Sequence, residues 1–215
     1  MAKTAALYDV FRRDFSFDLT VNPEYASQAG FHDLDGGPPL QSCSAQSYIE
    51  YAKHSRRMLD EVSMLEQMSG QLSGRDNLYL TIFTEMHREV VSNIESCPLY
   101  LLPINSIGTG CATYSFSESV EWMRFDGEND FNKYLTKLRY FPKQIEELIG
   151  CLKIGIETGY IASQAMCRKV AVQLRAIIEG GLDEFYAPIR GESGALLAAH
   201  PELLQVCLST PISAS

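Results

Sequence analysis

Two long blocks of helical periodicity, joined by a glycine-bracketed turn, constrain this chain more than any other feature. Between Ser44 and Met68 the residues Tyr48, Ile49, Ala52, Leu59, Val62 and Leu65 mark an apolar stripe, interrupted around Arg56. Beyond Gly70 and Gly74 a second stripe runs through Tyr79, Ile82, Phe83, Met86, Val90 and Ile94. Apolar residues recurring every three or four positions turn one helix face toward a core. Ser73 is suited to cap the second helix, and Cys97-Pro98 stops it. Two long helices joined by so short a turn pack antiparallel.

The rest of the chain repeats the helical signal in shorter pieces. Leu7, Val10, Phe11 and Phe15 predict a first short amphipathic helix. Asn22-Pro23 predicts the N-cap and first turn of another, which ends by Gly30. The loop FHDLDGGPPL, with two glycines and two prolines, is neither helix nor central strand. LYLLPI reads as a buried extended segment running into the glycine-rich NSIGTG, and Ser115 and Glu118 have capping-box spacing.

Further on, Asp130 is a plausible N-cap, followed by an apolar face of Phe131, Tyr134, Leu135 and Leu138. Pro142 lacks a backbone donor and disfavours helix at Phe141, so a new helix is expected to start there. Its stripe is Ile145, Leu148, Ile149, Leu152 and Ile156, with Glu146 and Glu147 as solvated partners of the helix dipole, and Gly159 ends it. A last helix spans about 163–179, with Met166, Val170, Leu174 and Ile177 inward and Arg168, Lys169 and Arg175 outward, stopped by Gly180-Gly181. No strand pattern is strong enough to build a sheet. The expected fold is mainly α, a multi-helix bundle with antiparallel long helices: a helical domain over 1–190 and a divergent, loosely attached tail over 191–215.

Composition narrows the partners. The chain has 215 residues, 46% hydrophobic and 21% charged, as an ordinary globular domain has. Its net charge of −9 comes from 27 acidic and 18 basic residues, the basic ones scattered, which argues against nucleic acid and anionic membrane as partners. No run of 18 apolar residues and no signal-like N-terminal stretch occurs, so a cytoplasmic location is expected. Six cysteines lie far apart with no CxxC pair and read as individual small apolar residues.

Chemistry-bearing motifs are sparse. HExxH places two histidines on one helix face, but His32, His54, His87 and His200 are never four residues apart, and His87 lacks an adjacent glutamate. His32, Asp33 and Asp35 could hold a cation, although Asx-turns and caps explain the same residues. Asn105 to Gly110 lacks the GK[ST] ending of a phosphate loop, and no GxSxG elbow occurs. Glu146 and Glu147 point about 100 degrees apart on a helix and make no acid–base pair.

Four segments, in order, carry a family resemblance: NPEYASQAGFHDLD, SGRDNLYLTIFTEMHREV, LLPINSIGTG and, most specifically, DFNKYLTKLRYFPKQIEELIGCLKIGIETGYIASQ. Over about Phe17 to Pro188 the chain resembles the amino-terminal half of the family catalogued as domain of unknown function 885. That family is similar to largely helical metallopeptidases with a deep cleft, whose carboxyl-terminal half carries a zinc-binding HExxH-like motif. The resemblance implies a hydrolase ancestry with zinc as the family's cofactor. No position here matches a ligand, so no residue is assigned a metal or catalytic role. The expectation is a non-catalytic helical half, inactive alone and hydrolytic only when completed by a second half or partner chain. Asn105, Gly108, Gly110, Trp122 and Tyr140 would line what remains of the cleft, for a peptide or small molecule. The alternative is an interaction module that self-associates or binds a partner through apolar helix faces, particularly around Ile145 to Ile156.

Overall fold

The computed structural model of the chain describes residues 2–32, 37–104 and 119–179. Among the described residues every regular element is helical, and none is a strand. The antiparallel pair is present: α3 (Ala45–Gln67) and α4 (Gly74–Val91) pack along their lengths, while α1 (Ala2–Val21) lies across both and α2 (Pro23–Gln28) follows it directly. Contacts run in reverse order along the pair, from Leu65 near Leu80 at the turn to Arg56 against Glu95 at the far end. Lys3 fixes α1 to this pair by donating to the carbonyls of Glu66 and Met68, where α3 leaves its last carbonyls unpaired.

Local chemistry sets the element boundaries. The Asn22 side chain accepts from the Tyr25 amide, Ser44 from Ser47 and Ser73 from Asp76, each satisfying a donor that a helix start leaves orphaned. α4 relaxes into a π turn over Ser92–Ser96 and stops at Cys97. LYL is a 3-10 turn over Leu99–Leu101 and not an extended segment; Pro98 fixes its entry and buried Leu101 anchors it.

Three other expectations are corrected. The first helix is not short but continues through Phe15 and Phe17 to Val21, because Phe17 stacks on His54 of α3 and Leu19 is buried. Asp130 is no N-cap: α5 (Glu128–Thr158) begins earlier, and the Asp130 carboxylate accepts from the Asp126 amide and the Arg124 guanidinium. Pro142 does not divide α5, which is one helix of 31 residues. An interior proline costs about 3 kcal/mol. Buried Tyr134 and Leu135 before it, and Gln144 and Cys151 after it, hold both halves in line. Gly159 ends α5 in the left-handed conformation, φ 85°, as expected. α6 (Gln164–Glu179) buries Val170, half-buries Met166 and Leu174, and exposes Arg168, Lys169 and Arg175.

The core forms two clusters. One joins Leu7 and Val10 of α1, Met58, Val62 and Leu65 of α3, and Leu80 of α4. The other gathers Leu40 and Val120 around Phe131, Tyr134 and Leu135 of α5. Each large apolar side chain fully buried this way contributes about 1.5–3 kcal/mol.

The apolar stripes are only partly the buried faces. Ile49, Tyr79, Ile82, Met86, Ile149 and Ile156 are exposed, while His54, Ser55, Asp76, His87, Gln144 and Gly155 are buried in their stead. Polar partners on neighbouring helices satisfy most of these groups, so the inward faces carry side chains that apolar periodicity does not count.

Candidate functional site

The tail of α1, the 38–42 segment, the start of α3 and the π and 3-10 turns enclose a cavity of about 630 Å³. Aromatic rings dominate its walls: Phe17, Tyr48, Tyr51 and Tyr100, with Ile94 and Leu99. Tyr48 and Tyr100 stack at 5.0 Å between centroids. The cavity exists because the chain changes direction at Asn22, at Ser44 and again at Pro98, so three element ends surround it. Polar groups at its edge, Asn22, Asn93 and Gln41, supply a few directed contacts in a largely apolar space.

Beside the aromatic wall lies a largely buried polar network. The Asp14 carboxylate is 2.8 Å from Nε2 of His54 through one oxygen and 3.3 Å from Nε2 of His87 through the other. α1, α3 and α4 each contribute one member. Phe17 lies flat on His54 at 3.6 Å, and the Phe83 ring meets His87 edge-on at 4.3 Å. Burial would push the Asp14 carboxyl up, but hydrogen bonds from His87 and His54 outweigh it and hold the carboxyl below its ordinary range. One turn later, Asp18 accepts from the Tyr51 hydroxyl at 2.6 Å; there burial dominates and raises the carboxyl. The same burial raises the phenols of Tyr48 and Tyr51.

A second set of bonds ties α5 to the cavity rim. Glu147 accepts from the Cys43 amide at 2.8 Å and the Ser42 hydroxyl at 3.0 Å. It is therefore a structural clamp and not a solvated dipole partner, while Glu146 does face solvent. Gln144 donates to the Gln41 carbonyl at 2.8 Å, and Cys151 Sγ donates to the Cys43 carbonyl at 3.2 Å. The Cys43 thiol is pushed up to about 12 by burial, then by the Glu24 and Glu147 charges. Cys43, Cys97, Cys151 and Cys167 are all free thiols.

Of the residues expected to line a cleft, Asn105, Gly108 and Gly110 lie outside the described residues, as do Asp33, Asp35, Ser115, Glu118, Gly180-Gly181, the Ile177 side chain and the 191–215 tail. Trp122 is half-buried after the Val120 turn. Tyr140 packs against the Phe131 and Tyr134 cluster, with Lys143 Nζ donating to its hydroxyl at 3.1 Å. Neither lines the aromatic cavity. Sequence reasoning missed Asp14, His54, Tyr51 and Glu147. The break in the α3 stripe near Arg56 was the available signal, since His54 and Ser55 occupy it.

These residues do not fit a zinc site. Both histidines spend Nε2 on the same carboxylate, so the three side chains do not converge on a shared point. His87 Nδ1 is buried without a hydrogen-bond partner. Among the described residues no three His, Cys, Asp or Glu side chains are grouped to hold a metal ion. Nor is any described helix long and apolar enough to cross a membrane.

A family model described as a bacterial protein of unknown function (DUF885) matches residues 23–206. No curated protein and no solved structure matches the chain.

Proposed function

The chain belongs to the DUF885 family, and from that membership together with the aromatic cavity we propose that it is the non-catalytic, ligand-holding helical half of a metallopeptidase-like hydrolase. The supporting observation is the cavity of about 630 Å³ walled by Phe17, Tyr48, Tyr51 and Tyr100, which suits an aromatic or large aliphatic peptide side chain. In this reading the described part supplies shape and rigidity, with Asp14, His54 and His87 tying α1, α3 and α4 together beside the cavity. Hydrolysis then requires groups from a second half or a partner chain. A cytoplasmic setting, which keeps the thiols reduced, and a helical domain over 1–190 with an accessory tail belong to the same proposal.

Titration with an uncharged blocked peptide, N-acetyl-phenylalanyl-alanine amide, should show saturable binding. Tyr100→Ala removes one ring of a stacked pair and should weaken it on the order of tenfold. Equal binding to both forms, or zinc-dependent cleavage of a mixed peptide library by the purified chain, would overturn the reading.

A second reading rests on a different observation. Leu78, Ile82 and Met86 lie on one outward face of α4 and are 56%, 48% and 61% exposed. We infer that this face pairs with the same face of a second copy. Sedimentation distinguishes this reading from the first.

A further inference from the structure

Next to the aromatic cavity, with Thr20 and Pro38 common to both, a second space of about 410 Å³ opens between the end of α1, α2, the 37–39 segment and the first half of α5. One wall is apolar, from Leu19, Pro23, Ala26 and Phe31; the other is polar, from Asn132 and Lys137 among others. Lys137 is 8% exposed although it is a lysine on the solvent-rich helix α5. Lysine is almost never buried to that degree unless an acid pairs with it. Among the described residues no carboxylate forms an ion pair with its ammonium. The nearest acidic influence is Glu24, whose carboxylate is committed to the Gln41 amide at 2.9 Å and to the Gln144 side chain at 3.4 Å. Lys133, one turn earlier, lines the same space and donates to the His32 carbonyl at 3.0 Å.

We propose that this space is a binding site for a small organic carboxylate, with the anionic end on the Lys137 ammonium and an apolar body against Pro23, Ala26 and Phe31. Three features support it. The volume lies within the range of small-molecule sites. A charge this buried is costly unless compensated, and a bound carboxylate compensates it. Burial, partly opposed by Glu24 and reinforced by Lys133, also pushes the ammonium below its ordinary range, as expected of a buried positive group with no ion-paired carboxylate among the described residues. The site shares Thr20 and Pro38 with the aromatic cavity but none of its rings, so Tyr100→Ala and Lys137→Met test the two readings separately.

Phenylacetate and its uncharged counterpart phenylacetamide separate charge recognition from simple apolar filling. Titration followed by saturation-transfer NMR should show phenylacetate binding to the intact chain at least about tenfold tighter than phenylacetamide. Lys137→Met keeps the length and apolar stem while removing the charge; it should abolish that preference. Asn132→Asp, at an exposed rim position whose replacement leaves the core untouched, should weaken phenylacetate alone by about tenfold through like-charge repulsion. Equal affinities for acid and amide, unchanged phenylacetate binding in both variants, or no phenylacetate binding up to about 10 mM would each overturn the proposal.

Discussion

Asp14 is the residue on which three helices depend. Its carboxylate receives His54 from α3 and His87 from α4 while belonging to α1 itself. Asp14→Asn removes the charge from a buried network and leaves at least one imidazole poorly satisfied, which should cost about 1–3 kcal/mol. The pH dependence has a defined sign. Asp14 has a folded value below its unfolded one of 3.8, so its stabilisation is full above that value and is lost as pH falls through the folded one. Asp18 acts oppositely: its raised carboxyl costs stability while ionised, and protonation relieves that cost as pH falls. Thermal denaturation across the acid range should therefore show a shallower loss for Asp14→Asn than for the parent chain, and identical slopes would contradict the assignment. None of this was legible locally. Residues 14, 54 and 87 become neighbours only through the packing of three helices, and a periodicity that counts apolar residues registers buried histidines as gaps.

At the scale of elements, legibility divides by the range of the interaction. The caps at Asn22 and Ser73, formed within three residues, and the glycine stop at Gly159 were visible in the sequence because they are decided locally. Continuity through Pro142 was not, since the local penalty is overcome by side chains anchored on other elements. The same helix contains two glycines with opposite roles. A Cβ at Gly155 would stand 2.5 Å from the Tyr160 carbonyl oxygen and 2.9 Å from that of Leu101, both backbone atoms, whereas one at Gly150 would meet nothing within 4 Å. Gly155→Ala should thus destabilise by about 1–3 kcal/mol, as overpacking does. Gly150→Ala should stabilise by about 0.5–1 kcal/mol, from helix propensity alone. Chemical denaturation of the pair provides the check, and shifts of the same sign would refute the close approach of α5 to the 3-10 turn.

At the scale of the whole molecule, the described residues form two apolar clusters, with a seam of polar bonds tying α2 and the 41–43 segment to α5. Leu7 to Leu80 form one cluster and Leu40 to Leu135 the other; Glu24, Gln41 and Gln144 exchange hydrogen bonds, and Glu147 accepts from the Ser42 hydroxyl and the Cys43 amide. The helical class was readable from periodicity and the absence of strand patterns. The seam was not, because its members are more than 100 residues apart for Glu147 and Cys43. Exposed Leu78, Ile82 and Met86 belong to this scale too. If that face pairs two copies, sedimentation velocity should show a concentration-dependent dimer that Ile82→Lys converts to monomer. A parent chain that stays monomeric up to about 100 μM, where a micromolar contact would be filled, would sink the idea.

The seam also gives the protein an internal clock. The Cys43 thiol is held far from its reactive, ionised form, and Cys151 is buried with its sulfur committed to the Cys43 carbonyl, while Cys97 and Cys167 stand in solvent. Among the described cysteines, an alkylating reagent at neutral pH therefore meets two prompt sulfurs and two that wait for the packing around them to open, so the lag between them times that opening.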